Sequence, residues 1–537
     1  MHPSLPHDPG NGGRDGAPQS SGRVPITSIT DALLGTQARR VAVAAACGLL
    51  ASLAFPPVGA WWLSWVVLAP LLAALARCTG MRQAVVPAYA FGVATWAVCV
   101  PWIGVSVASF LQSPIGWVAW VLLCGIQGLW YAAWGALAWR ICQRPGLRAA
   151  LALAASWTLM EWARTLGALA MPWCLLSHTQ YEVLPVIQAA SLMGAGLISF
   201  CIVLSNASIW LAARPGNGAR LVQALRAAVP VGAVGCLLTY GWVSLADGDG
   251  RHADALPPIR ITAMQPNVNT NPLGVEGHIA RREAVVVLPT RAAPDRPFVV
   301  AWPESSAEDV AGDLTEKSLF AEAARLTRAW QIIGSGGATP DGRPTNSAFV
   351  MSPRGEIVAR YDKRHLVPFG EWTPARWLFV PLERWFRFVE DDVAGTSDGV
   401  LLIDGLRIGA LICFESVIPA LARRSTARGA TLLLNLTNDS WAGRSSALEQ
   451  HLAITVFRSV EMRRPMVVAG LTGPTASISP YGRIERLPPY ELGLLTTSVT
   501  PRTDRTPYLL WGNAPLLTLC IALLAMGLLP AWGRPRR

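Results

Sequence analysis

The chain has 537 residues, 52% hydrophobic and only 15% charged, against about 25% charged in an ordinary soluble protein. That composition excludes a disordered chain, a collagen and a disulfide-stapled miniprotein, and it argues against a single soluble domain. The net charge of +11 comes from 45 Lys+Arg against 34 Asp+Glu, and its placement speaks for membrane topology rather than for a nucleic-acid groove.

Residues 1–38 are rich in Gly, Pro, Ser and Asp and read as a disordered cytoplasmic arm. Seven apolar runs follow, near 40–56, 59–76, 84–110, 116–139, 149–170, 185–212 and 226–246, and an eighth near 508–532. Each is close to the ~20 residues that cross a bilayer. The expectation is therefore a membrane domain over 39–247 and an eighth transmembrane helix over 507–533, about eight spans in all. Between Val41 and Ala246 the only acids are Glu161 and Glu182, and there is no Lys. Arginines cluster in alternate loops: Arg39 and Arg40, Arg77 and Arg82, Arg140 to Arg148, Arg214 to Arg226, and Arg534 to Arg537. The intervening loops carry no Lys or Arg. Arginine is retained on the cytoplasmic side, so both termini are expected inside and the segment after span seven outside. Glu161 and Arg164, three residues apart, share a helix face. They read either as a functional pair at membrane depth or as a brace for the bundle.

From about 258 to 500 the texture changes. Short β-like runs at Ile259–Met264, Pro297–Trp302, Gln331–Gly334, Ser347–Met351, Ile357–Tyr361, Leu406–Phe414 and Thr431–Leu436 are separated by helix candidates, among them Glu316–Trp330 and an amphipathic Ser446–Arg463. Alternation of this kind indicates α/β layering. Nine of the ten cysteines lie in or beside apolar runs; Cys413 alone falls in the polar segment. It reads as a buried structural thiol or as a reactive one. The histidines are scattered without metal spacing, and no cofactor is expected.

Three polar residues stand at the ends of apolar runs: Glu304 after Phe298–Pro303, Lys363 after Ile357–Asp362, and Cys413 after Arg407–Ile412. Together they would supply a base, an electrostatic clamp and a nucleophile. Singly, each also reads as a surface carboxylate, a surface lysine or a core thiol.

The local words carry more. Trp302-Pro303-Glu304, Tyr361-Asp362-Lys363-Arg364-His365-Leu366-Val367-Pro368-Phe369-Gly370-Glu371 and Ile412-Cys413-Phe414-Glu415 resemble the three signatures of the nitrilase superfamily. With Asn438-Asp439-Ser440-Trp441, Glu161-Trp162-Ala163-Arg164, Met171-Pro172-Trp173, Gln188, Gln265-Pro266-Asn267 and Thr345-Asn346-Ser347, the chain is similar to the bacterial apolipoprotein N-acyltransferase family. The resemblance implies an extracytoplasmic αββα sandwich over 258–500, held at the outer face of the bacterial inner membrane. It implies a phospholipid acyl donor, a diacylglyceryl-apolipoprotein acceptor and a Cys413 thioester, with Glu304 as general base and acid, Lys363 stabilising the oxyanion, and Glu371 and Glu415 in support. Trp441 would line a substrate pocket. Trp372–Phe388, with Trp377 and Phe379, reads as a lid touching lipid or as an ordinary packed helix. The stretch Val468–Thr475 departs from the family, lacking its Arg and Asn character, which puts substrate positioning in question. The alternatives are a membrane-tethered nitrilase-type amidase and a catalytically inactive lipid-binding or transport protein.

Overall fold

The computed structural model describes residues 33–167, 170–214, 220–248, 256–268, 275–378 and 391–529. Most of the expected N-terminal arm, 1–32, lies outside these residues. The helical part contains α1 (Gln37–Ser52), α2 (Leu68–Ala76), α3 (Met81–Cys99), α4 (Pro101–Phe110), α5 (Gly116–Cys142), α6 (Leu147–Ala163), α7 (Gly196–Ala212) and α8 (Arg220–Gly248). Thr36 caps α1 by accepting a hydrogen bond from the Arg39 N–H.

The apolar runs do not all become long straight helices. Among the described residues, one helix, Gly116–Cys142, is long and apolar enough to cross a membrane alone, and up to three spans result if each bent pair counts as one. The run near 84–110 breaks at Val100-Pro101, because proline has no N–H to continue the ladder and biases the preceding residue away from helix. Val100 sits at φ −127°, ψ 40°, and the two helices meet at 57°. The run near 185–212 turns by 117° at Gly194, whose φ is +80°.

The second part contains β1 (Ile259–Gln265), α9 (Val275–Ala292), β2 (Val299–Ala307), α10 (Leu314–Thr327), β3 (Trp330–Ala338), β4 (Pro344–Met351), β5 (Ile357–Asp362), β6 (Val400–Ile403), β7 (Leu406–Ile412), α11 (Pro419–Ala427), β8 (Leu432–Thr437), α12 (Ala447–Met462), β9 (Met466–Gly470), β10 (Ala476–Ile478), β11 (Ile484–Arg486) and β12 (Gly493–Val499), before a last helix α13 (Ala514–Leu528). Two six-stranded sheets form, in the orders β12-β1-β2-β3-β4-β5 and β11-β10-β9-β8-β7-β6. Alternate residues of each strand face opposite ways. Ile261, Val299, Ala301 and Ile332 of the first sheet share a core with Ile408, Ile412, Leu434 and Val467 of the second. Val300, Trp302 and Ile333 face the other way, onto Leu288 of α9 and Phe320 of α10.

Outside the second sheet lies α12. The expectation there was an amphipathic helix, with one face in solvent. Instead, every residue of α12 except Glu449 is buried. One face covers Leu411, Leu433 and Met466, and the other packs into the same cluster as residues of the helical part, including Trp173, Ile187 and Ala190. A helix apolar on one side only would not tolerate this. Here Gln450 supplies the polar match: it accepts from the indole N–H groups of Trp102 (3.0 Å) and Trp173 (3.1 Å) and donates to the carbonyls of Cys99 (2.8 Å) and Pro56 (3.2 Å).

Candidate active site

The three sequence candidates converge, two of them just past strand ends and one from within a strand. Glu304 is not beyond β2 but inside it. The β2–β3 register is interrupted between Trp302 and Ala307, and Ser305 takes φ +62°, so the strand bulges and re-aims its side chain. Gly334 on β3 permits the bulge, since a Cβ there would lie 2.3 Å from the Pro303 carbonyl. Lys363 follows β5, its N–H held by the Asn346 carbonyl at 2.8 Å. Cys413 follows β7 at φ +52° and opens the short 3-10 turn Cys413–Val417.

Lys363 Nζ donates to Glu304 Oε1 (3.1 Å) and Glu371 Oε1 (2.5 Å). The lysine is only 1% exposed. Burial works against its ammonium, but Glu304, Glu371 and Cys413 outweigh that and hold its pKa well above the usual lysine range. The cation therefore persists. Glu304 Oε2 accepts from the Asn438 N–H at 3.0 Å, and the Asn438 carbonyl lies 3.9 Å from Cys413 Sγ. The backbone of one residue thus touches both the carboxylate and the thiol. Cys413 is 6% exposed. Burial pushes its thiol up and Glu304 adds to this, against the pull of Lys363, leaving it well above the usual cysteine range. At neutral pH the sulfur carries its proton until a base removes it.

Glu371 also accepts the Val367 N–H through Oε2 (2.8 Å), which ties the loop after Lys363 to the ammonium. Glu415 is wholly buried and accepts from the Tyr361 hydroxyl (2.6 Å) and the N–H groups of Ile412 (2.8 Å), Arg364 (2.7 Å) and His365 (3.1 Å). It fastens the strand before Cys413 to the segment after Lys363. Burial raises its pKa, opposed by these donors and by Arg364.

Other expected residues stand apart. Trp441 is half-buried and packs on Trp102 of α4, ring centroids 5.4 Å apart. Trp377 is 74% exposed and is not brought to the triad. Phe379 lies outside the described residues, as does most of the expected lid. Glu161 and Arg164 do not bond each other. Glu161 accepts from Trp157 Nε1 (2.9 Å) and the Leu176 N–H (2.8 Å), while Arg164 reaches Gln127 and the carbonyls of Trp173 and Cys174. Both make their hydrogen bonds within the helical part.

Two participants carried no assigned role in the sequence reading. Asn346 Nδ2 donates to both Glu304 Oε1 (2.6 Å) and Glu371 Oε1 (3.0 Å), holding the two carboxylates on one ammonium. His451 pairs with Asp439 at 3.0 Å. The Asn-Asp pair directly after β8 was the available signal.

Among the described residues no group of three or more His, Cys, Asp or Glu is arranged to hold a metal. The donor set suits acyl transfer, with a thiol, a carboxylate positioned by a backbone N–H, and a buried cation.

Comparison with known proteins agrees. The family model for the apolipoprotein N-acyltransferase N-terminal domain matches residues 47–208, and that for carbon-nitrogen hydrolase matches residues 284–508. Apolipoprotein N-acyltransferase of Geobacter metallireducens is 33% identical, over 82% of this chain and 85% of that protein. Those of Azotobacter vinelandii and Ralstonia nicotianae are 32% and 30% identical, over 91% and 92% of this chain and 94% and 93% of those proteins. An amidase from Nesterenkonia sp. of known structure is 20% identical, covers 50% of this chain and 98% of its own, and gives a TM-score of 0.35. On the strength of relatives aligned nearly end to end, the chain belongs to the apolipoprotein N-acyltransferase family.

Proposed function

We propose that this chain transfers a fatty acyl group from a phospholipid to the N-terminal amine of the diacylglyceryl-cysteine of an apolipoprotein. The observation that carries the reading is the meeting of Glu304, Lys363 and Cys413 around the backbone of Asn438. Glu304 takes the thiol proton as Sγ attacks the ester carbon. Lys363 holds the oxyanion, and the proton passes to the leaving alkoxide, releasing lysophospholipid and leaving a Cys413 thioester. The lipoprotein amine then attacks the thioester. Its proton returns through Glu304 to the sulfur, and an amide is formed. Glu371 and Glu415 hold Lys363 and the Cys413 turn in place.

The reading divides the chain into a membrane domain over 39–247, a catalytic domain over 258–500 and a final span over 507–533, with about eight crossings. Arg40 bonds Gln83, Trp139 bonds the Cys78 carbonyl, and Arg144 bonds the carbonyls of Leu528 and Leu529. These contacts gather the arginine-bearing loops and the last helix at one end of the bundle. Contacts to the sandwich through Pro56 and Trp173 come from the loops without arginine, and the contact through Cys99 comes from the end of α3 at the break before α4. That polarity supports cytoplasmic termini and a catalytic domain at the outer face of the inner membrane. Both substrates are lipid-anchored there, and extracting either would cost ~0.8 kcal/mol per CH₂. Trp377 and Phe379 belong to a lid over the lipid surface, and Trp441 to the substrate pocket.

The test is intact-protein mass spectrometry after incubation with phospholipid. An acyl adduct on Cys413, absent from Cys413→Ala, is expected. Lipoprotein N-acylation at the parental rate in cells that depend on Cys413→Ala would end the proposal.

A further inference from the structure

A second set of buried polar side chains lies beside the nucleophile, outside the chemistry above. His451, on the first turns of α12, places Nδ1 3.0 Å from Asp439 Oδ1 and Nε2 2.9 Å from Ser416 Oγ. Ser416 Oγ is in turn 3.0 Å from the Cys413 carbonyl and 2.8 Å from Thr455 Oγ1. Asp439, His451 and Ser416 are all buried.

Counting protons leaves two arrangements of these bonds. Ser416 has one hydroxyl proton, and the Cys413 carbonyl can only accept. If Ser416 donates to that carbonyl, His451 Nε2 must donate to Ser416. Asp439, as a carboxylate, only accepts, so Nδ1 donates as well. The ring then carries both protons and a positive charge. If the ring is neutral with its proton on Nδ1, Nε2 accepts from Ser416 and the Cys413 carbonyl loses that donor. The charged groups facing the ring are Asp439 from the turn after β8 and Glu304 from β2. The residue packed on it from the helical part is the uncharged Trp173, ring centroids 6.2 Å apart. On α12 itself, Arg458 is engaged by Glu461. The set favours the cation: burial opposes it, but Asp439 more than compensates and the imidazole is held above its usual range.

We propose that Asp439, His451 and Ser416 form a hydrogen-bond relay that positions the nucleophile, with imidazolium His451 locking the Ser416 hydroxyl onto the Cys413 carbonyl. Cys413 at φ +52° is a left-handed non-glycine residue, a conformation that persists only where neighbours hold it. The same imidazole anchors Asp439, the neighbour of Asn438, whose N–H meets Glu304 and whose carbonyl meets the thiol. One ring thereby sets the distance between nucleophile and base. These are positioning residues; none of them touches the reacting atoms.

The relay rests on Cys413 being the nucleophile. Its test uses the full chain in phospholipid-detergent micelles, with two readouts: single-turnover acylation of Cys413 and its alkylation by iodoacetamide, which needs no lipid substrate. Asp439→Asn preserves shape but leaves the ring neutral, with Nε2 drawing the Ser416 proton away from Cys413. Asp439→Asn and Ser416→Ala should each slow both readouts by about 10-fold, with KM for phospholipid unchanged. The double variant should be no slower than the slower single, because both changes break the same chain. Multiplicative losses in the double variant, a raised KM with unchanged kcat, or parental rates in either single variant would overturn the relay. If Asp439→Asn does not fold, Ser416→Ala alone still decides through its rate and KM. A parent that is alkylated as expected yet never acylated would refute the acyltransferase chemistry while leaving the relay standing.

Discussion

Replacing Lys363 by Met keeps an unbranched apolar stem of similar length and removes only the charge. Nζ is the shared donor to Glu304 Oε1 and Glu371 Oε1, at 3.1 and 2.5 Å, and the same two oxygens share Asn346 Nδ2 at 2.6 and 3.0 Å. Without the cation, two carboxylates face one amide in a buried site, and one of them takes up a proton. Two losses follow. An oxyanion donor is worth about 10²–10³ in rate. If the proton settles on Glu304, the base is lost too, by itself about 10²–10⁴. Such effects do not simply multiply, so the fall in single-turnover thioester formation should be about 10³-fold or more, with lipid KM within about threefold of the parent. Lys363→Arg should fare no better, because a planar guanidinium does not fit a slot shaped for a 1% exposed ammonium. The assay follows the acyl-enzyme by intact mass at timed quench. Thioester formation by Lys363→Met within tenfold of the parent would refute the assignment of Lys363 to the oxyanion.

Gln450→Ala should destabilise the protein by about 3–5 kcal/mol, since it strands two buried indole N–H groups and two carbonyls at about 1–3 kcal/mol each before relaxation; thermal unfolding in detergent checks this, and an unchanged midpoint would count against the seam. Because burial and Glu304 keep the Cys413 thiol protonated well past neutrality, its alkylation rate should climb about tenfold per pH unit from pH 7 to 9, as the thiolate fraction rises; a plateau below pH 8 would contradict the raised thiol. Trp377→Ala should lower turnover on vesicles by about fivefold and leave melting unchanged, because the side chain is 74% exposed and its worth lies at the lipid interface; equal turnover would remove the lid.

The sequence made the chemistry more legible than the architecture around it. Lys363 and Cys413 stand where a hydrophobic strand run stops, and a run that stops is visible in a string of letters. Glu304 also closes an apolar run in the sequence, but it lies inside β2 on a bulge at Pro303 to Ser305, which no periodicity announces. Asn346 sits on β4 and earns its place only by reaching across to two carboxylates from other segments, a contact between residues far apart in sequence. The short strands β10 and β11 give no signal in the sequence, because three residues each show no period. β12, Gly493–Val499, does not alternate cleanly. Hydropathy found every apolar run but not the breaks at Val100-Pro101 and Gly194, where backbone chemistry overrides composition.

The fate of α12 explains why catalytic and helical parts are joined as they are. Its sequence has the period of a helix with one dry face, yet Gln450 on the opposite face finds four partners in the helical part. A partner of this kind cannot be inferred from α12 alone, because a polar side chain looks the same whether water or a buried indole is to satisfy it. Once both faces are closed, α12 transmits position in two directions. Toward the sheet it presents His451 to the turn bearing Cys413. Toward the helices it meets Trp173, which stacks on Phe414 at 5.9 Å and 13°, while His365 stacks on Phe414 at 5.9 Å and 15°. The residue after the nucleophile is thus clasped between a ring from the helical part and a ring two residues after Lys363. A movement of the loop carrying Trp173 therefore acts on both halves of the catalytic set at once, and the orientation of the sandwich on its helices becomes part of the active-site geometry.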